Sequence, residues 1–496
     1  MNAKNTFYSC VVDSSAIFYF QTWGLIHSLM KRANVKPSQI FVHHTQEVEA
    51  YFIEELVNLG VNIRPIHRFG DGKYCNKTVQ LNTPEFSSAE CIFLLDTDII
   101  VLDELWELYT PQTISGKVVD LANPDLETLK CIFDLAGFKD YPAVCKVDCN
   151  EEQTFHNNLN GGLYVIPGKL SATLGDRWQH WALWLLEHID LLKQIGKENH
   201  VDQMSFSLAT HDLSIPIKNI TRKYNFPVHL SIEKTGYPAV LHYHRSVSKV
   251  GLIEFNGACD ADFQRAIQEA NQLIGGCFNN KVFWSFRYKA FPELGSGVGS
   301  REQNLEYKRA LLHQLGIEES PSILDVGCGD LEVIKTLNLH RYTGIDVSTN
   351  AIEIAQKKRP DLKFMLYTGK NDALIPAADT VLCFEVLIHQ KTSEEYSKII
   401  NFLAQKTQRR LIVSGYTEKQ VHHDQNHMIS YHESLFDSLR KTGKFSTISK
   451  VGSHPGIDVV LAEVKPTVMA AFMKAAKWFM RAAKRSLKTV FSFLSR

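Results

Sequence analysis

The sequence predicts an α/β protein made of two successive layered units. Three observations carry that expectation. Strand-like and helix-like segments alternate over the first 250 residues. A second alternation begins at Glu302. Each half holds an apolar strand that ends on a short acidic motif, LLDTD at 94–98 and ILDVGCGD at 323–330. A βαβα rhythm builds a mainly parallel sheet covered by helices. At 496 residues, more than one core is expected. Lys plus Arg and Asp plus Glu both number 54, so no global field draws the chain to nucleic acid.

In the first half, residues 7–12, 39–43, 61–66 and 91–96 read as strands, with helices at 20–32 and 47–59 between them. Residues 171–197 read as one long helix. Its Trp178, Trp181, Trp184 and Leu185 recur at helical spacing, which makes the tryptophans core residues rather than a sugar platform. Residues 249–300 read as a connector with one short helix near 262–273. It loosens into FPELGSGVGSR, where closely spaced glycines oppose regular structure.

In the second half, a helix at 305–315 precedes strands at 322–326, 342–347, 363–367, 380–384, 411–414 and 459–464. The expected organisation is therefore 1–250, a connector and cofactor flap at 251–300, 301–466, and a separate tail at 467–496. The ten cysteines are scattered without a CxxC pair, which suits free thiols in a reducing compartment. No secretory signal and no membrane-spanning run are expected.

Asp96 and Asp98 flank Thr97 directly after an apolar strand. Such a turn can aim two carboxylates at one hard divalent cation, which neutralises a departing diphosphate. A solvated turn is the plainer alternative. The stretch CNKTVQL followed by AECIFLLDTDIIVLDELWELY resembles the retaining, family-8-like glycosyltransferases of the GT-A fold. So do NGG with LYVIP at 160–167, the Asp202–Gln203 pair, and His242–Tyr243 late in the unit. The likeness covers about 7–249. It implies a nucleotide-diphosphate sugar as donor and Mn²⁺ or Mg²⁺ held by Asp96, Asp98 and His242. It places Asp13, Asn76 and Lys77 near the nucleotide, Asn160, Asp202 and Gln203 near the sugar, and Lys249 near phosphate. Asp202 takes a positioning role in catalysis. The late element lacks the family's Gly-containing loop and Pro-Trp, so His244 competes with His242 as the ligand.

ILDVGCGD reads as a strand, a tight turn through Gly327 and Gly329, and a helix beginning near Leu331. A second strand ends at Asp346, where a carboxylate can accept both hydroxyls of a ribose. The third glycine of a dinucleotide motif is missing, because Glu332 stands there. A pyrophosphate is disfavoured beside Asp330 and Glu332, whereas a sulfonium cofactor is not. LDVGCGD, GIDVS and DTVLCFEVLIHQ resemble the motifs of class I S-adenosylmethionine-dependent methyltransferases over about 301–464, a Rossmann-like seven-stranded fold. The resemblance implies cofactor contacts from Asp325, Gly327, Gly329, Asp346 and Asp372, with Glu385 a further carboxylate of the site. Residues 295–301 would form a flap over the cofactor. His389 is the candidate base, since a histidine titrates near neutrality. A packing role at a helix start is its alternative. His422, His423 and His427 read as an acceptor-side loop or as solvated surface.

The tail, 467–496, has no Asp or Glu. Phe472, Phe479, Leu487, Val490 and Leu494 fall on one helical arc, and Lys474, Lys477, Arg481, Lys484, Arg485 and Lys488 on the opposite one. That is the pattern of a helix lying on an anionic membrane surface. The sequence therefore suggests a bifunctional glycosyltransferase and methyltransferase. It would act on a glycan or lipid-linked oligosaccharide, peripherally bound at the cytoplasmic membrane face. Polysaccharide-assembly enzymes would be further partners, as in O-antigen or capsule synthesis. Two other readings remain: a methyltransferase with a non-catalytic sugar-nucleotide-binding module, and a membrane scaffold.

Overall fold

The computed structural model describes residues 5–230, 236–419, 427–454 and 456–464. The chain divides into two compact units, Met1–Glu293 and Leu294–Arg496. The tail read at 467–496 lies outside the described residues, as do His422 and His423.

In the first unit a seven-stranded sheet runs in the order Ile217–Asn219, Ile114–Val118, Leu159–Pro167, Cys91–Leu95, Thr6–Val12, Ile40–His44 and Asn62–Pro65. Leu159–Pro167 runs antiparallel to both neighbours, and the other pairs are parallel. The central strand Cys91–Leu95 is buried along its whole length, which explains its unbroken apolar run. Trp178, Tyr164, Phe206 and Leu94 share one core cluster, so the tryptophan helix does pack inward. A small second sheet pairs Val240–His242 with Ile99–Val101 in antiparallel register, which sets His242 opposite Ile99.

Two expectations need correction here. The long helix ends at Glu187, and a separate turn, Asp190–Lys193, follows it. His188 leaves the helical region with φ −110° and ψ 25°, and Gly196 later takes a positive φ. The connector read at 251–300 holds two helices, Ala261–Gly276 and Asn280–Ala290. Asn279 caps the second by accepting the Val282 amide at 3.2 Å. Phe286 stacks on Phe20 of the helix Ala16–Arg32, with ring centroids 4.2 Å apart. Aromatic burial thus ties residues up to Glu293 to the first unit.

The second unit has a seven-stranded sheet in the order Lys363–Leu366, Tyr342–Asp346, Ile323–Val326, Ala378–Cys383, Thr407–Gly415, Ile457–Val464 and Phe445–His454. The first five are parallel and the last two form an antiparallel pair, a Rossmann-like arrangement. Ligands in such sheets bind beyond the carboxyl ends of the strands where the order reverses, here between Ile323–Val326 and Ala378–Cys383. Phe445–His454 escaped the sequence reading because it is an edge strand. It is mostly exposed, and register shifts interrupt its pairing. The helix expected near Leu331 is absent. Leu331 takes a φ of 67°, and residues 332–336 form turns. Among the described residues no helix is long and apolar enough to cross a membrane.

Candidate functional site

In the first unit, the strand Cys91–Leu95 delivers the acidic motif at its carboxyl end. The turn is held from two sides: the Asp96 amide donates to the Gly162 carbonyl, and the Tyr243 amide donates to the Asp98 carbonyl, both at 3.0 Å. The two carboxylates then face different partners. Asp96 Oδ1 takes the Lys77 ammonium at 2.6 Å. Asp98 Oδ1 lies 3.3 Å from His242 Nε2, and Asp98 Oδ2 lies 3.5 Å from His244 Nδ1. Asp98, His242 and His244 are thus a group whose ligand atoms could hold a metal ion. The expected trio of Asp96, Asp98 and His242 is not what converges. His244 joins the group, and Asp96 turns to Lys77. Burial by itself would raise the Asp98 pKa, but the two imidazoles hold it well below the usual carboxylate range.

Lys77 leads to the sugar-side residues. It is 7% exposed, and its ammonium also donates to the Gly161 carbonyl. The Cα of Gly161 is crowded by Lys77 Nζ, Gln203 Cγ and Asp202 Oδ2, all within 3.6 Å of the place a Cβ would occupy. Asp202 lies in the first turn of the helix Val201–Asp212, and its carbonyl accepts the Trp178 indole at 2.8 Å. Burial pushes the Asp202 carboxyl up to about 7, against the attraction of Lys77. Asn160 accepts the Gly162 amide at 2.9 Å and donates to Asp120 Oδ2 at 2.7 Å.

The remaining expected residues have separate settings. Asn76 is fully engaged in its own loop, accepting the Phe69 amide and donating to the Gly72 carbonyl, each at 2.9 Å. Of that pair only Lys77 enters the cluster. Asp13 is paired with Arg68 at 2.6 Å; burial opposes its ionisation, but Arg68 keeps its pKa lowered. Lys249 is exposed, and its carbonyl accepts the Arg287 guanidinium. Sequence reasoning missed Asp120 with its ion-pair partner Lys117, Asn225, which donates to Asn160 Oδ1 at 3.0 Å, and Arg68. Asp120 had a signal, since it follows the strand Ile114–Val118 as Asp96 follows its own strand.

In the second unit, Asp325 and Asp346 stand on adjacent parallel strands. Asp346 Oδ2 accepts the Gly329 amide at 3.0 Å, and Oδ1 accepts the Ser348 amide at 2.9 Å. Asp325 Oδ2 accepts the Tyr342 hydroxyl at 2.8 Å. Burial pushes Asp346 up to about 6 and Asp325 up to about 7. Burial thus favours the protonated form of each, and further donors would stabilise the ionised form. Gly327 adopts φ 76°, and a Cβ there would meet Val386 Cγ2 at 2.2 Å. Asp372 Oδ1 is buried beside the Tyr367 hydroxyl, whose pKa the carboxylate helps to raise.

Residues 296–308 are tied to this turn. Ser296 Oγ donates to Asp330 Oδ1 at 2.7 Å, and Arg301 pairs with Asp330. Lys308 donates to the Gly299 carbonyl at 2.6 Å and pairs with Glu385, which also lies 3.2 Å from His454 Nε2. Glu385 thus lies against Gly299, paired with Lys308 and near His454, neither of which the sequence singled out. His389 Nδ1 lies 2.8 Å from the Met428 carbonyl. A carbonyl only accepts, so Nδ1 carries the proton and Nε2 is the basic atom. Burial lowers the His389 pKa, so the ring stays neutral near pH 7. Ser430 also donates its amide to the Ile388 carbonyl at 2.8 Å, which lays residues 428–430 along this edge.

Residues 324–405 match a family described as a methyltransferase domain. The matched stretch contains Asp325, both motif glycines, Asp346, Asp372, Glu385 and His389, and it supports methyltransferase activity in the second unit. No curated protein matches the chain. Among solved structures, it is similar to magnesium protoporphyrin IX methyltransferase from Synechocystis PCC 6803. The two are 23% identical over 33% of this chain and 83% of that chain, with a TM-score of 0.28. It is also similar to the N-methyltransferase NodS from Bradyrhizobium japonicum WM9, 16% identical over 33% of this chain and 88% of that chain, with a TM-score of 0.28.

Proposed function

We propose that the chain joins two transferases, a metal-dependent glycosyltransferase of GT-A type and an S-adenosylmethionine-dependent methyltransferase. The observation that carries the first activity is the convergence of Lys77, Asp96, Asp202 and Gln203 around Gly161. It lies at the end of the same strand that presents Asp98 to His242 and His244. A divalent cation at Asp98 would neutralise the departing diphosphate of a nucleotide sugar. Lys77 adds a fixed positive charge beside it, and Asp202 and Gln203 orient the sugar.

The domain match and the two buried carboxylates, Asp325 and Asp346, support the second activity. An adenosyl sulfonium supplies the methyl group. Asp346 accepts ribose hydroxyls, and Asp372 accepts from adenine. His389 Nε2 takes the proton of an acceptor hydroxyl as its oxygen bonds the methyl carbon and the carbon–sulfur bond breaks. The acceptor is a glycan or lipid-linked oligosaccharide, approached through the acid-free basic tail at an anionic membrane surface. The test is a panel of sugar nucleotides offered to the purified full chain with Mn²⁺. Mn²⁺-dependent release of nucleotide is expected, and full turnover by Asp98→Ala would sink the metal role.

A further inference from the structure

We infer that Glu385 and His454 recognise the methyl acceptor of the second unit, holding one hydroxyl of an uncharged polyol while a neighbouring hydroxyl is methylated. The inference deepens the methyltransferase reading and rests on it. Glu385 follows the strand Ala378–Cys383, at the carboxyl edge where the strand order reverses. Its backbone takes φ 61°, a left-handed conformation uncommon for a residue with a side chain. Ser414 Oγ, on the next strand, holds that turn by accepting the Glu385 amide at 2.7 Å. Backbone strain of this kind concentrates at working sites.

Four further segments meet the Glu385 carboxylate. Lys308, whose side chain is fully buried, pairs with Oε1 and also donates to the Gly299 carbonyl at 2.6 Å. Gly299 lies against Oε2 so closely that a Cβ has no room there. Tyr416 follows the strand Thr407–Gly415, and its phenol is pushed up to about 12 by burial, with Glu385 adding to the rise. His454 closes the strand Phe445–His454 and brings Nε2 to 3.2 Å from Oε1. That residue is 7% exposed, and its buried Nε2 has no hydrogen-bond partner although Glu385 is within reach. The two groups are close but out of line.

A buried polar atom left in this state is costly, and a small group placed between the two relieves it. A hydroxyl suits either tautomer of the ring. With the proton on Nε2, it accepts from His454 and donates to Glu385; with the proton on Nδ1, it donates to Nε2. A carboxylate acceptor does not fit. Lys308 is already committed to Glu385 and Gly299, so a second anion would face Glu385 without a counter-charge. Burial lowers the His454 pKa despite the pull of Glu385, so the ring adds no positive charge near neutrality. His389, in the next turn, lies within the field of Glu385 and serves the neighbouring hydroxyl. That oxygen bonds the methyl carbon, the carbon–sulfur electron pair stays on sulfur to give S-adenosylhomocysteine, and the proton passes to His389 Nε2.

Methyl transfer from S-adenosylmethionine by the purified full chain tests this, with methyl hexopyranosides, their monodeoxy analogues and the matching methyl hexuronosides as acceptors. An alkali-stable methyl ether on a hexopyranoside is expected. The uronosides should stay unesterified, and a monodeoxy analogue that keeps the methylated hydroxyl but lacks its neighbour should bind poorly. His454→Ala should raise the acceptor KM about 10–100-fold, the scale of a lost buried hydrogen bond, while kcat and S-adenosylhomocysteine affinity stay within about threefold. His454→Gln, which keeps a hydrogen-bonding group, should recover part of that loss. Glu385→Gln should act in the same direction, and the His454 variants carry the comparison if loss of the Lys308 partner unfolds it. An unchanged acceptor KM in His454→Ala would overturn the inference, because a water would then fill the place given to the acceptor. So would an alkali-labile methyl ester on a uronoside, or no transfer to any hexopyranoside by a chain that binds S-adenosylhomocysteine. A chain that binds no S-adenosylhomocysteine would instead count against the methyltransferase reading itself.

Discussion

The Lys77 ammonium lies 2.6 Å from Asp96 Oδ1 and also donates to the Gly161 carbonyl, so one buried cation joins the acidic turn to the sugar-side strand. It stands beside Asp202 as well, whose carboxyl its charge draws down against burial. Removing it would leave the acidic turn and Asp202 without their shared counter-charge.

Lys77→Met keeps the length of the side chain and discards the charge. We expect sugar-nucleotide turnover to fall about 10²–10³-fold, the scale of losing a fixed electrostatic group at a reacting centre. Initial-rate kinetics on the purified chain check this. Far-ultraviolet circular dichroism should match the parent, because Asp96 keeps access to water, its side chain being 37% exposed.

Asp346 should govern cofactor affinity as a function of pH. Ribose hydroxyls donate to its ionised form, and its pKa is pushed up to about 6. S-adenosylhomocysteine should therefore bind more weakly as pH falls below about 6 and reach a plateau above it. Calorimetric titrations from pH 5 to pH 8 read the effect (the range brackets the typical carboxylate shift, about pH 4 upward). In the ligand-free protein the sign is opposite. Folded-state values raised above the unfolded value of about 4 mean that these two aspartates favour folding at low pH. That contribution is lost as pH rises through about 6 for Asp346 and about 7 for Asp325.

His389→Gln should separate binding from chemistry. The amide can still reach the Met428 carbonyl, but it cannot take a proton. Methyl transfer should fall about 10²–10⁴-fold, the usual reach of general base catalysis, while S-adenosylhomocysteine affinity stays within about twofold. A parallel loss of affinity would mean that His389 shapes the cofactor pocket instead.

Much of both units could be read in the sequence, and the gaps have physical causes. Cys91–Leu95 announced itself because a strand buried along its whole length is an unbroken apolar run, and Ile323–Val326 because it leads into the glycine turn at Gly327 and Gly329. Phe445–His454 did not, because an edge strand exposed on one side carries a mixed pattern. Asn280–Ala290 hid because aromatic and cationic residues crowd its sequence, and its packing against Phe20 is a tertiary fact. Single residues behaved the same way. Asp96, Asp98, Asp202 and Asp346 stand at element ends, where motifs are visible. Asn225, Lys308 and His454 act through partners far along the chain: Asn160, Glu385 and Glu385 again. No local spacing marks such pairs. His244 was visible only as a rival to His242, because a positive φ that folds one side chain back beside another is not written in a motif.

On this proposal one chain carries two separate transferase sites working on a common glycan acceptor. Mass spectrometry of lipid-linked glycans from cells producing the unaltered, Asp98→Ala or Asp346→Ala chain tests it most directly. Glycans short of a sugar are expected with Asp98→Ala. Glycans short of one methyl mass, with no sugar lost, are expected for Asp346→Ala. Identical glycans from all three cell lines would contradict it.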